Sequence, residues 1–270
     1  MSAATPNRYN VIVERIFMER YREGMREVVF EREDIERTAR ELGIVLPKNF
    51  GDVIYSFRFR VPMPAKIQAT TAEGEGWVIK LAGQGKYRFE LLKIDQISVN
   101  PNLQLSETKI PDATPGIVAQ YALSDEQALL AKLRYNRLVD IFTGVTCYSL
   151  QNHLRTTVRG LGQVETDELY LGIDKKGVQY ILPVQAKGGR DKMGIVQIEQ
   201  DIALCEHKFP MLVCRPIGAQ FIGDDSIALF EFERMNGSIT IASEKHYRLV
   251  PPASITLDDL RSYQRRLASE

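Results

Sequence analysis

Long apolar runs are missing from this 270-residue sequence, in which no stretch approaches the roughly 20 apolar residues that span a bilayer. The first residues, MSAATPNRYN, also lack the charged start, apolar middle and small-residue cleavage site of a signal peptide. A hydrophobic content of 44% beside 26% charged residues is typical of a globular protein, and the length is sufficient for two domains. The sequence therefore predicts a cytoplasmic protein without a membrane partner.

Cysteine is scarce as well. The three cysteines, Cys147, Cys205 and Cys214, are odd in number, lie in apolar surroundings and lack the spacing of zinc ligands. We expect them to be reduced residues of the core. The glycine pair Gly188-Gly189 lacks the spacing of a Walker loop, so the sequence contains no phosphate-binding loop of that type.

Net charge is absent too, because 35 Lys and Arg residues balance 35 Asp and Glu residues. This balance argues against a protein that coats nucleic acid by bulk charge. It permits a local basic groove, since phosphate attraction depends on where the cations lie. Cations near the segment described next, which could equally be solvated surface charges, are Arg155, Arg159, Lys187, Arg190 and Lys192.

Residues 162–189 are typical of two strands joined by a tight turn, and they contain acids, an amide and a lysine. Successive side chains of a strand point to opposite faces, so Gln185 and Lys187 share a face, and a hairpin can bring Asp167 beside both. A carboxylate, a second oxygen ligand and an ammonium suit a hard cation and an attacking water in phosphodiester hydrolysis. The alternative is structural: Asp167 would be a surface acid, Lys187 an exposed edge lysine and Gln185 a partner of the backbone.

A strand with Asp167 followed by a strand with Gln185-Ala186-Lys187 resembles the core of the PD-(D/E)xK nuclease superfamily, in the branch that has Gln in place of Glu. The resemblance implies that Asp167, Gln185 and the backbone carbonyl of Ala186 bind Mg²⁺. It also implies that Lys187 orients or activates the water. Glu165, two residues before Asp167 on the same strand, would be an accessory acid.

The resemblance covers about 124–220 and implies a restriction-endonuclease-like fold. The family begins its core with a helix, which Ser124 to Phe142 fits, and a further acid on that helix is often part of the site. Glu126, Asn136 and Asp140 are all open for that role.

Downstream of the hairpin, a helix up to Phe209 is followed by MLVCRPIGAQFI, which is typical of one buried strand. Strand, helix, strand implies a crossover, so the sequence predicts an α/β fold with a mixed central sheet flanked by helices. A hairpin around 226–242 would extend this sheet, and a helix at 255–267 would close the chain.

Residues 1–99 are predicted to form a separate, smaller α+β domain. Helices at 9–21, 32–42 and 50–59, followed by the strands WVIKLAG and KYRFELL, resemble a winged helix, whose third helix enters the DNA major groove. The residues on or beside that helix are Lys48, Asn49, Tyr55, Ser56, Arg58 and Arg60. A helical domain for dimerisation or for packing on the core is the alternative. Prolines and the lack of a period mark 100–119 as a linker before a nuclease domain at 120–270.

These features predict a magnesium-dependent DNA endonuclease of the restriction type, with double-stranded DNA as its partner and Arg155 and Arg190 as further DNA contacts. Double-strand cleavage of a palindromic site would require a homodimer. Two alternatives remain open. One is a non-catalytic DNA-binding or regulatory protein on the nuclease fold, and the other is a repair nuclease that acts on RNA or branched DNA.

Overall fold

The computed structural model of the chain describes residues 8–48, 51–59, 61–121, 126–188, 192–223, 226–235 and 237–267. Asn49, Arg60, Ser124 and Arg190, named above, lie outside these ranges. The chain divides into two compact units. The first comprises Met1–Val99, Thr156–Val164 and Gly194–Val196, and the second comprises Asn100–Arg155, Glu165–Met193 and Gln197–Glu270.

The elements of the first unit follow from local sequence patterns. In chain order they are α1 (Arg8–Arg20), β1 (Glu27–Glu31), α2 (Arg32–Glu41), α3 (Gly51–Phe59), α4 (Ala65–Gln68), β2 (Glu75–Gly83), β3 (Lys86–Lys93) and β4 (Ser98–Val99). Helices α1 to α3 and strands β2 and β3 lie within two residues of their predicted positions, whereas β1 and α4 were not predicted. Strand β1 alternates exposed Glu27, Val29 and Glu31 with buried residues and pairs antiparallel with β3, giving the sheet order β1-β3-β2.

An aromatic cluster forms the centre of this unit. The Phe17 ring of α1 meets Trp77 of β2 and Phe89 of β3 edge to face, with ring centroids 5.0 Å and 5.1 Å apart. Ile12, Val13 and Ile16 are buried on the same side of α1, at the three- and four-residue spacing of one helix face. Helix α1 is thus held against the sheet by its apolar stripe.

The second unit contains most of the strands. The elements that lie wholly or mostly in it are β5 (Glu107–Pro111), α5 (Gly116–Tyr121), α6 (Glu126–Tyr135), α7 (Leu138–Thr143), β6 (Thr146–Val158), β7 (Gly162–Ile173), β8 (Gln179–Lys187), β9 (Met193–Gly194), α8 (Ile195–Lys208), β10 (Val213–Cys214), β11 (Ile217–Ile222), β12 (Ser226–Met235), β13 (Ser238–Val250) and α9 (Leu257–Leu267). One end of β6, β7, β9 and α8 belongs to the first unit. Eight strands form a mixed sheet in the order β5-β13-β12-β11-β8-β7-β6, with β10 also paired to β8. Strand β8 pairs antiparallel with β7 and parallel with β11, so the predicted α/β class with a mixed sheet flanked by helices is confirmed.

The helix predicted from Ser124 to Phe142 is two helices in the described residues. Arg137 has a left-handed backbone, with φ of 50°, and it separates α6 from α7. The buried Asn136 side chain accepts a hydrogen bond from the Ala113 amide at 2.6 Å and donates to the Thr114 hydroxyl at 2.9 Å. This attachment to a distant loop accompanies the break, and a sequence period does not report it.

Two further segments differ from expectation because their partners are distant in sequence. Residues 107–111, inside the predicted linker, form β5, which pairs parallel with β13. The single strand predicted over 211–222 is divided into β10 and β11, with Pro216 between them. Proline has no backbone N–H for a ladder, and the two pieces pair with different parts of β8.

A large apolar cluster fixes β8 at the centre of the second unit. Leu182, Val184 and Ala186 of β8 lie in one cluster with the α6 leucines 129, 130 and 133, and all six are buried. Val184 and Ala186 alternate along the strand with Gln185 and Lys187, so the polar pair is presented away from these leucines. Among the described residues, no helix combines the length and the apolar character needed to cross a membrane.

Candidate functional site

The regular backbone pairing of strands β7 and β8 ends where the predicted site begins. Their antiparallel register runs from Ile173 opposite Gln179 to Glu168 opposite Val184. Beyond that point side chains link the strands: the Thr166 hydroxyl donates to the Val184 carbonyl at 3.4 Å, and the Ala186 amide donates to Asp167 Oδ2 at 2.8 Å. We call this region, from Glu165 to Glu168 and from Val184 to Lys187, the fork.

Asp167 occupies the fork as a half-buried carboxylate. Burial raises the pKa of Asp167 above its usual range, and the positive charge of Lys187 and the Ala186 amide oppose that rise. The Ala186 amide that binds Asp167 lies between Gln185 and Lys187 in β8, so Asp167 lies beside the strand end that carries both predicted residues. The carboxylate is therefore available to a cation, with one oxygen oriented by the backbone of β8.

Lys187 is a buried lysine on a central strand, being only 8% exposed. Its Nζ lies 3.0 Å from Oε1 of Glu126 on α6. The alternative in which Lys187 is an exposed edge lysine is therefore wrong. Of the three α6–α7 residues left open by sequence, Glu126 contacts the site. Asn136 binds the 113–114 loop, and Asp140 accepts from the Cys147 amide at 2.9 Å.

Gln185 is held at both ends of its amide. Its Nε2 donates to the Glu165 carbonyl and to Asp201 Oδ1, each at 3.2 Å, and its Oε1 accepts from Gln197 Nε2 at 3.3 Å. The side chain does bond to backbone, as the structural alternative supposed, but it also reaches two polar residues of α8. Its orientation is thereby fixed.

Asp201 on α8 is the component of the site that sequence patterns did not identify. It is 1% exposed, and among the described residues its Oδ2 has no hydrogen-bond partner. Burial raises the pKa of Asp201 well above its usual range, and the nearby charge of Asp167 adds to the rise, whereas the hydrogen bond from Gln185 and the nearby Thr166 hydroxyl oppose it. A signal was present in the sequence, since Asp201 lies between the apolar Ile198 and Ile202 on the inward face of a helix.

The remaining predicted groups of the fork have other partners. Glu165 Oε2 accepts two hydrogen bonds from the Arg155 guanidinium, at 2.7 Å and 3.1 Å. Glu165 is therefore tied to a cation at the surface, and Arg155 is partly neutralised. The Ala186 amide is bound by Asp167, while its carbonyl, the predicted ligand, lies on the same buried strand end.

Glu168, next to Asp167 in sequence, points to the other face of β7. Its Oε1 accepts from the Ser149 hydroxyl at 2.6 Å and from Arg134 Nε at 3.1 Å. The strand alternation thus places one acid in the fork and gives its neighbour a structural ion pair.

His153 of β6 stands at the rim of the site. Its backbone is left-handed, with φ of 47°, and its Nε2 lies 2.8 Å from Nε2 of Gln127, the residue after Glu126. His153 also interacts electrostatically with Asp167.

The predicted DNA-binding helix of the first unit presents a different surface from the one expected. Arg58 of α3 is turned inward: its Nε donates to the Ile79 carbonyl at 3.3 Å, and burial lowers its pKa to about 10. Tyr55 and Ser56 are half-buried, and Tyr55 packs on Phe59 with ring centroids 4.9 Å apart. Lys48 is exposed.

Comparison of the chain with protein-family models, with curated proteins and with solved structures gave no match. Within the described ranges, no three His, Cys, Asp or Glu side chains are grouped so as to hold a metal ion. A cation beside the fork would therefore be bound by Asp167, Asp201 and uncharged oxygen atoms. Mg²⁺ commonly binds proteins in this way, through one or two carboxylates with several waters retained.

Proposed function

We propose that this chain is a magnesium-dependent endonuclease that hydrolyses phosphodiester bonds of double-stranded DNA, as a restriction enzyme does. The supporting observation is the fork, where Asp167, Gln185 and the buried Lys187 converge beside a carboxylate oxygen that lacks a partner. Perturbed carboxylates and a buried lysine at one place favour a functional site over a chance arrangement.

The donors of the fork fit a hard divalent cation. Carboxylate and amide oxygens are the ligands that Mg²⁺ prefers, and the unpartnered Asp201 Oδ2 is an acceptor that a cation would satisfy. Asp167 would hold the ion, which when bound supplies Lewis-acid stabilisation of a phosphate oxygen.

Lys187 would orient the attacking water and stabilise negative charge on the phosphate. Its Nζ has three donors, and one of them is directed at Glu126, which leaves two for water and phosphate. Low exposure strengthens its electrostatic effect, because little bulk water screens the ammonium. Glu126 would hold the lysine in place.

The first unit would choose the DNA site. Its order of α1, β1, α2, α3, the four-residue α4, β2 and β3, with the sheet order β1-β3-β2, supports a winged-helix-like module into which α4 is inserted. Because Arg58 is turned inward, base contacts from α3 would fall to other side chains, such as the exposed Lys48 before it. A homodimer would be needed to cut both strands of a palindrome.

Cleavage of supercoiled plasmid by the full chain, with and without Mg²⁺, tests this proposal. Lys187→Ala should lower the rate roughly 100-fold or more, as loss of one charge-stabilising group does in other enzymes. Lys245→Ala, which removes an exposed lysine from β13, should leave it unchanged. Methylated and unmethylated DNA, branched DNA and RNA should be compared. No cleavage of any of them by the folded wild type in Mg²⁺ would refute the proposal.

A non-catalytic DNA-binding protein on the same architecture is the second candidate. It is favoured by the hydrogen bonds that already engage Gln185 at both ends and by the ion pair that engages Lys187. Mg²⁺-independent DNA binding without cleavage, insensitive to Lys187→Ala, would identify this function.

A further inference from the structure

Asp201 lowers the stability of the folded protein unless something binds it. Its side chain is 1% exposed, and its Oδ1 accepts from Gln185. Among the described residues no group completes a hydrogen bond of good geometry to its Oδ2, since the nearby Thr166 hydroxyl, which helps to lower the pKa of Asp201, donates to the Val184 carbonyl. A buried polar group without a partner destabilises the folded state, and more so when it is charged. A cation beside Oδ2 would remove that destabilisation.

Gln185 controls how this carboxylate is turned. Three hydrogen bonds, to the Glu165 carbonyl, Asp201 Oδ1 and Gln197 Nε2, fix the plane of its amide. With Oδ1 held by the amide nitrogen, Oδ2 is left as the free oxygen of Asp201. Gln197 and Asp201 are four residues apart on α8, so one face of the helix supplies both contacts.

The Asp201 carboxylate lies near the fork rather than in a separate part of the sheet. It accepts from Gln185 at 3.2 Å, and the amide of the next residue, Ala186, donates to Asp167 at 2.8 Å. The charges of Asp167 and Lys187 also act on it. Two carboxylates from different elements, one on β7 and one on α8, therefore face a common region with a lysine beside them.

We propose that Asp167 and Asp201 together hold a divalent, oxygen-preferring cation, and that Gln185 is a positioning residue that orients Asp201 rather than a ligand. This assignment rests on the proposed function and deepens it. The negative charge that a glutamate would bring to position 185 is supplied instead from α8. Two carboxylates with water completing the shell suit Mg²⁺ or Mn²⁺.

Mn²⁺ binding to the full chain without nucleic acid, followed by the electron paramagnetic resonance signal of free Mn²⁺, tests the assignment. Asp167→Asn and Asp201→Asn should each weaken binding at least about tenfold, since even outer-shell changes cost 10–100-fold. Gln185→Glu should also weaken it, because the Nε2 donor to Asp201 is lost, whereas a ligand at this position would bind more tightly as Glu. Glu206→Gln, on the exposed face of α8, is the matched control and should change nothing.

The outcomes separate this assignment from the nuclease proposal. A wild type that binds Mn²⁺ and cuts DNA, with Asp201→Asn equal to it in both, overturns the role of Asp201 and leaves the nuclease. Mn²⁺ binding that depends on both aspartates without cleavage supports the site and refutes the nuclease. A wild type that binds no Mn²⁺ overturns the cation site, and the cleavage assay then decides the nuclease proposal separately. If Asp201→Asn fails to fold in chelator, Asp201→Ala takes its place.

Discussion

Replacing Asp201 by Asn should stabilise the metal-free protein at neutral pH, even though it removes a proposed cation ligand. Asn has nearly the same shape, and its amide oxygen can still accept from Gln185, as Asp201 Oδ1 does at 3.2 Å. Unlike Asp, it has no ionised form that must be kept in a buried place. The variant therefore removes the cost of ionisation and retains the packing.

The sign and size follow from linkage between folding and protonation. In the unfolded chain the pKa of Asp is about 3.9, whereas burial raises the pKa of Asp201 in the folded protein. Below about pH 4 both states hold the proton, so the contribution of this group is fully retained. Above it the folded state holds a proton that the unfolded state has lost, and the free energy of unfolding falls by about 1.4 kcal/mol per pH unit until the folded pKa is passed.

Urea unfolding in EDTA, at a series of pH values from about 4 to about 8, measures this difference. The advantage of Asp201→Asn over the wild type should be near zero at the acid end, rise with pH and then level off. Saturating Mg²⁺ should reverse the order, because a ligand at 100 times its Kd stabilises the wild type by about 2.7 kcal/mol. Parallel profiles of the two proteins across this range would refute the argument that Asp201 is a buried, ionisable group.

Two further substitutions test the close packing at the turn end of β7 and the ion pair of Lys187. Gly172→Ala should lower the free energy of unfolding in urea by about 1–3 kcal/mol, because a Cβ there would lie 2.7 Å from Val145 Cγ1. Gly116→Ala is the control, since it adds a methyl group in open space at the start of a helix and should be neutral or slightly stabilising. Equal effects of the two substitutions would contradict the close approach at Gly172. Glu126→Gln should lower the free energy of unfolding by about 1 kcal/mol, because the ion pair joins the partly exposed Glu126 to the buried Lys187. An unchanged urea midpoint would show that the pair contributes nothing to stability.

Elements whose signals are local were predicted well. Helices α1, α2 and α3 combine an apolar face with glycine or polar residues at their ends, and strands β7 and β8 are joined by a short polar turn. Each of these patterns is contained within about a dozen residues. The burial that makes such a helix stable depends on the rest of the fold, but the face to be buried is already marked in the sequence.

The elements that were missed or misjudged depend on distant partners. Strand β1 is five residues long and gains its place by pairing with β3, more than fifty residues later. Strand β5 lies in a proline-containing stretch and is a strand because β13 runs beside it. Helices α6 and α7 separate where Asn136 is attached to the 113–114 loop. Hydrogen bonds of this kind have no local period.

The candidate site divides in the same way. Strand alternation in the sequence by itself determined that Gln185 and Lys187 share a face, and the hairpin determined that Asp167 is near them. Only the tertiary structure decided that Lys187 is buried against Glu126, that Glu165 is tied to Arg155, and that Gln185 is bonded to Asp201 of α8. Neighbours along a strand are set by backbone geometry, whereas the partner of a buried charge is set by which helix packs over that strand.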